Sequence, residues 1–189
     1  MTSSKLGATS TAAALREAFD QTFAQAPRTA EVALDDFLAI RMGGDARAIR
    51  VSEITGLYHD RTIVPIIGRA AHFLGIAGFR GMMAPVYDLA TLLGGVAAPT
   101  PRWLVLTRTP SPVGLAFDLF EAHARLAPDD VHAAGNDDAA GGHFRGVARM
   151  GRDTNGAAGA GVLRPIIHIA SVLEAIARQM PFDNVPKER

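Results

Sequence analysis

The chain has 189 residues, 48% hydrophobic and 20% charged, with 19 basic side chains against 19 acidic ones and no cysteine. That length makes one ordinary globular domain or two very small ones. The balanced charge lacks both the basic surplus with which nucleic-acid binders neutralise phosphates and the acidic surplus of a solvated tail, while the absence of cysteine excludes disulfide frameworks, thiolate nucleophiles, iron–sulfur clusters and thiolate zinc sites.

At the start, MTSSKLGATSTAAALREAFD is cut by Arg16 and Glu17 before an apolar core can develop, so it does not read as a signal peptide. Within residues 10–25, Leu15, Phe19 and Phe23 fall four apart on one stripe of an amphipathic helix that Pro27 stops. From residue 32 the period changes. Phe37-Leu-Ala-Ile-Arg-Met42 and Ala46-Arg-Ala-Ile-Arg-Val51 flank Gly43-Gly44-Asp45, which predicts a hairpin with a glycine turn. Short apolar runs follow at 63–67, 73–76, 82–87, 103–107, 114–117, 144–150 and 162–169, each bounded by Gly, Pro or Asp. Many short strands with turns between them predict small barrels or a sandwich rather than a parallel sheet with crossover helices. The most apolar stretch, 63–96, is interrupted by Arg69, His72, Arg80 and Asp88, so no window offers a membrane span, and a soluble cytoplasmic protein is expected. Prolines 99, 101, 110 and 112 place a junction between two halves near 95–102. The stretches 133–142 and 152–161 read as long loops, and Val172, Leu173 and Ile176 mark a closing helix over 169–179 that ends before Pro181.

Few residues suggest chemistry. None of the six histidines pairs with another at the i, i+4 spacing of two metal ligands on a helix, and His132, Asp137, Asp138 and His143 form a cluster best read as a solvated loop. There is no Gly-x-Ser-x-Gly elbow, and Gly156, Gly159 and Gly161 lack the Gly-Lys-Ser/Thr of a phosphate loop. The acid pairs Asp35-Asp36, Asp129-Asp130 and Asp137-Asp138 are adjacent, so the two members do not converge. No catalytic residue, metal site or cofactor is expected.

The unusual segment is FLGIAGFRGMMAPVYDLATLLG, residues 73–94. An arginine inside an apolar run is costly to bury unless an acid meets it, and Glu53 in Val51-Ser-Glu-Ile-Thr is the expected partner of Arg80. Phe73, Gly75, Arg80, Gly81, Pro85, Val86, Asp88, Leu89, Leu93 and Gly94 together resemble the hallmark run of the CheW-like coupling proteins of bacterial chemotaxis. Upstream, FLAIRMGGDARAIRVSEITGLYHDRTIVPIIG is similar to the family's opening hairpin, its strand with Val51, Glu53 and Ile54, and the approach with Ile63 and Pro65. Downstream, RWLVLTRTPSPVGLAFDLFEAHARL with Asp118, then FRGVARMGRD and VLRPIIHIASVLEAI, resemble its later strands and closing helix, so that the likeness covers about residues 35–177. Gly78-Phe79 stands where the family commonly has Asn-Leu, and His168 where it often has an aspartate or asparagine.

The resemblance implies an all-β fold with peripheral helices: two small five-stranded barrels like Src-homology-three domains, packed around a shared core. On that basis residues 1–31 are an N-terminal extension and 32–177 the CheW-like domain. The first barrel covers about 35–97, the second about 98–168, the closing helix about 169–179, and 180–189 form a tail. It further implies a non-enzymatic scaffold that couples chemoreceptors to a CheA-type histidine kinase at membrane-bound arrays; the alternative is an adaptor or decoy that binds the kinase's regulatory domain without a receptor. Receptor contact then falls to Val51, Glu53, Ile54, Gly75, Phe79, Arg80 and Gly81, and kinase contact to Gly146. A groove beside Arg80 left open would suit a receptor helix, whereas one filled by Leu15, Phe19 and Phe23 would not.

Overall fold

The structure, a computed structural model, describes residues 33–66, 72–97, 100–133, 142–151 and 161–179. The expected helix with Leu15, Phe19 and Phe23, the tail, and most of the two glycine-rich loops lie outside the described residues. Among the described residues, apolar runs punctuated by turns become twelve strands: β1 (Asp35–Met42), β2 (Asp45–Arg50), β3 (Ile54–His59), β4 (Ile63–Val64), β5 (Phe73–Phe79), β6 (Met82–Asp88), β7 (Trp103–Thr107), β8 (Gly114–Phe117), β9 (Leu119–Leu126), β10 (Val131–Ala133), β11 (Phe144–Met150) and β12 (Val162–Ile167). Helix α1 (Leu89–Leu92) follows β6 and α2 (Ile169–Gln179) follows β12, while a 3-10 turn, Val51–Glu53, separates β2 from β3. Among the described residues no helix is long and apolar enough to cross a membrane.

The strands form two six-stranded sheets in the orders β10-β11-β12-β2-β1-β9 and β3-β7-β8-β6-β5-β4. Each ends in a very short edge strand, β10 of three residues and β4 of two, beside five others. Neither sheet is flat. In the second, β3 and β5 stand four places apart, about 19 Å at the usual ~4.8 Å spacing, yet the rings of Tyr58 and Phe79 meet with centroids 5.0 Å apart. The sheet has therefore curled on itself. The first does the same, packing Leu126 of β9 with Ala148 and Met150 of β11 in one cluster.

Curling produces three apolar cores among the described residues. Phe37, Ala39, Ala48 and Ile166 fill the first barrel, and Ala77, Phe79, Val86, Leu104 and Leu106 fill the second. Between the barrels, Leu38, Ile40 and Met42 of β1 meet Val105, Leu115 and Phe117, and Val172 and Ile176 of α2 join the same cluster. Strands β1, β7 and β8 are thus buried on both faces, which is why FLAI, WLVLT and GLAF read as continuous apolar runs instead of alternating ones.

The strands are not shared out at residue 97 as the two halves of the sequence suggest. β1 and β2 join β9 and β12 in the first barrel, and β7 and β8 join β3 and β6 in the second. The pattern of each strand fixes which faces are buried but carries no information about which neighbour it pairs with. A further tie crosses the chain: the hairpin turn donates from Gly43 N to Asp118 Oδ2 at 2.6 Å, holding β1–β2 against the β8–β9 junction.

Candidate partner-binding site

The register places two turns at one end of the second barrel. Val86 pairs with Gly114 and Leu106 pairs with both Gly114 and Gly56, so the start of β6, the end of β5, the end of β7 and the start of β3 lie on the same side of this level. The first turn is the two-residue loop Arg80-Gly81 between β5 and β6. Both residues have positive φ, 46° at Arg80 and 87° at Gly81, the combination of a hairpin turn whose twist matches its strands. Glycine takes that conformation freely; an arginine there costs about 1 kcal/mol. Arg80 is exposed and makes no hydrogen bond or ion pair with the described residues.

The second turn is Val51–Glu53, a 3-10 turn where an apolar strand is expected, with β3 starting only at Ile54. Its backbone is clamped to the end of β7: Arg108 N donates to Glu53 O at 2.8 Å, and Arg108 Nη2 to Ile54 O at 2.9 Å. The expected Glu53–Arg80 pair does not form. Arg145 Nη2 of β11 takes Glu53 Oε1 at 2.9 Å, with the two side chains 35% and 18% exposed. The physical reason is that Arg80 sits in a hairpin apex open to water, where it needs no acid, while Glu53 is turned toward the other barrel.

Arg145 reaches Glu53 because β11 carries a bulge. Phe144 pairs with Ile167 and Gly146 with Ile166, leaving Arg145 as the extra residue, and such an insertion re-aims a side chain. Sequence reasoning missed both Arg145 and Arg108; the one available signal was that Phe144-Arg145-Gly146 repeats Phe79-Arg80-Gly81.

Several of the expected contact residues serve the architecture. Phe79 is fully buried in the second barrel and Ile54 is 4% exposed, so neither side chain presents surface to a partner. A Cβ on Gly75, whose φ is +138°, would stand 2.1 Å from Val64 O and 2.9 Å from Pro65 Cα, so glycine is what lets β4 lie against β5. At Gly146 a Cβ would meet His132 O at 2.3 Å, the backbone of neighbouring β10. Asp88, central to the hallmark run, is 1% exposed and caps α1, its Oδ1 accepting from Thr91 N at 2.7 Å and Thr91 Oγ1 at 2.5 Å.

Beside the Arg80 turn the outer face of β4, β5 and β6 is apolar. Val64 opposes Ile76, Ile76 opposes Pro85, and Gly78 opposes Met83. Val64 and Met83, both on this face, are 56% and 63% exposed. An exposed apolar strip beside a cation that pairs with no acid among the described residues suits a protein surface better than a small molecule. Among the described residues no group of three or more His, Asp or Glu could hold a metal ion.

No curated protein matches this sequence. The fold is similar to that in the crystal structure of the scaffolding protein TtCheW from Thermoanaerobacter tengcongensis, with a TM-score of 0.64 at 15% identity over 79% of this chain and 99% of that one. A family model described as the CheW-like domain matches residues 36–177, which span both barrels, the Arg80 hairpin, the Glu53 turn and α2. The chain belongs to the CheW-like family of chemotaxis adaptors and scaffolds.

Proposed function

We propose that this chain is a non-enzymatic scaffold that couples the cytoplasmic hairpin tips of chemoreceptors to a CheA-type histidine kinase, working in the cytoplasm at membrane-bound receptor arrays. The observation that carries this reading is Arg80: an exposed arginine held in a left-handed turn, paired with no acid among the described residues, beside a strip formed by exposed Val64 and Met83 and half-buried Ile76. A local conformational cost retained without a local benefit points to recognition. An amphipathic receptor helix that lays apolar side chains on the strip and an acid on Arg80 would fit this surface. Within it, Arg80, Gly81, Val51 and Glu53 make the contact, and Gly75, Phe79 and Ile54 shape it from below. The kinase's regulatory domain is assigned to the β10–β11 surface of the other barrel, where Gly146 lets β10 close in and His132 and Ala133 are exposed.

Arg80→Asn tests the receptor surface. Asparagine tolerates the left-handed turn, so thermal stability should stay level or rise by up to about 1 kcal/mol, while binding of a receptor hairpin fragment in titration calorimetry should fall at least tenfold. Unchanged affinity in a folded variant would remove Arg80 from the recognition surface.

A further inference from the structure

The ion pair between Glu53 and Arg145 joins the turn assigned to receptor contact with the strand assigned to kinase contact, and it does so through two departures from regular sheet. Val51–Glu53 is a 3-10 turn set between β2 of one barrel and β3 of the other. Arg145 is the bulged residue of β11, immediately before the glycine against which β10 closes. A regular register would leave no extra residue at this position; the bulge provides one, and its guanidinium spans from the first barrel to the turn. The second carboxylate oxygen, Glu53 Oε2, is buried and has no hydrogen-bond partner, and among the described residues Arg145 is the one cation in ion-pair contact with this carboxylate. A half-buried carboxylate with one cationic partner is held in a single orientation by that partner.

We infer that Arg145 is the positioning residue of the 51–54 recognition turn. Its pair with Glu53 fixes the turn, and the turn, rather than a free Glu53 charge, is what the partner reads. This deepens the proposed function and rests on it for the identity of the partner. It follows that the two contact surfaces are not independent, since a change on β11 reaches the turn in the other barrel.

The test uses the full chain as wild type, Arg145→Gln, Glu53→Gln and the double exchange Glu53→Arg with Arg145→Glu. Two amides report on the turn by hydrogen exchange: Ile54 N–H, bonded to Val51 O, and Arg108 N–H, bonded to Glu53 O. Either single variant should speed exchange at both about tenfold, and by more than at the amides of β7 and β8, so that the change is local to the turn beyond any loss of global stability, and the double exchange should return both to within threefold of wild type. Affinity for a receptor hairpin fragment should follow the same order, lost several-fold in the single variants and regained in the double. Exchange that is unchanged in Arg145→Gln overturns the inference, because the pair then does not hold the turn. So does a double exchange that restores the amides but not the binding, because the partner then reads the Glu53 charge itself. If the amides behave as stated and the wild-type chain binds no receptor fragment, Arg145 still positions the turn and the proposed function is what fails.

Discussion

Replacing Gly75 by alanine should remove a large share of the protein's stability. The added Cβ would lie 2.1 Å from Val64 O and 2.7 Å from its carbonyl carbon, both backbone atoms that no rotamer change can move. At a φ of +138° any side chain is strained as well. Backbone strain of ~1–3 kcal/mol and overpacking of a similar size sum to about 4 kcal/mol, a large share of the ~5–15 kcal/mol that holds a domain together. Urea unfolding should show the midpoint falling by a third or more. A loss below about 1 kcal/mol would mean that β4 can withdraw from β5 at little cost. Gly146→Val meets only the steric part of this penalty, at His132 O, and should lose about 2 kcal/mol. A bulky residue at Gly146 therefore tests packing of β10 before it tests kinase contact, and substitution of the exposed Ala133 is the cleaner probe of that surface.

The second large effect is expected at Glu121. It is the extra residue of a bulge in β9, where Ala39 pairs with Ala122 and Ile40 with Phe120, and it is aimed at two arginines. Arg164 Nη2 lies 2.5 Å from Glu121 Oε2, and Arg41 Nη2 2.8 Å from Oε1. Arg164 is 8% exposed and also donates to Ile40 O at 3.2 Å, while Arg41 Nη1 reaches Gly44 O at 2.6 Å. Glu121→Leu leaves the Arg164 guanidinium buried without an acid, and should cost about 3 kcal/mol. The double variant Glu121→Leu with Arg164→Met should be more stable than the single, because it removes the orphaned charge; equal or greater loss in the double would show that the site depends on packing by the arginine stem. The pH dependence has a definite sign. Burial pushes the Glu121 carboxyl up, but hydrogen bonds from Arg41 and Arg164, with their charges, outweigh it and hold the group below the usual carboxylate range. A carboxyl lowered in the folded state contributes stability above its unfolded value and loses it as pH falls through the folded one. Acid should thus destabilise the wild type more steeply than Glu121→Leu.

What the sequence made legible, and what it hid, follows from which contacts are local. The hairpin at Gly43-Gly44, the strands β7, β8 and β11, and the helix over 169–179 carry their own pattern and stand where expected. β9 was missed because LFEAHARL leaves much of its length exposed and is interrupted by the bulge at Glu121, so it shows no clean alternation. β4 forms within the expected run 63–67 but keeps only Ile63–Val64, and β10 is too short to show any period. The assignment of strands to barrels was hidden altogether, since burial on both faces of β1 looks the same whether its partner is β5 or β9. The plainest case is the twin tripeptide: Phe79-Arg80-Gly81 is a hairpin apex whose arginine faces water, and Phe144-Arg145-Gly146 is a bulge whose arginine meets Glu53. Identical local sequence therefore offered Glu53 two partners, and only the register of β11 against β12 decided between them.

Co-sedimentation with receptor-containing membranes, run with and without a CheA-type kinase, tests the scaffold reading most directly. The account predicts that the chain sediments with the receptors, and that the kinase sediments in greater amount when the chain is present, with Arg80→Asn reducing both. A chain that binds the soluble kinase yet stays in the supernatant with receptor membranes, leaving kinase recruitment unchanged, would contradict it and identify an adaptor that does not engage receptors.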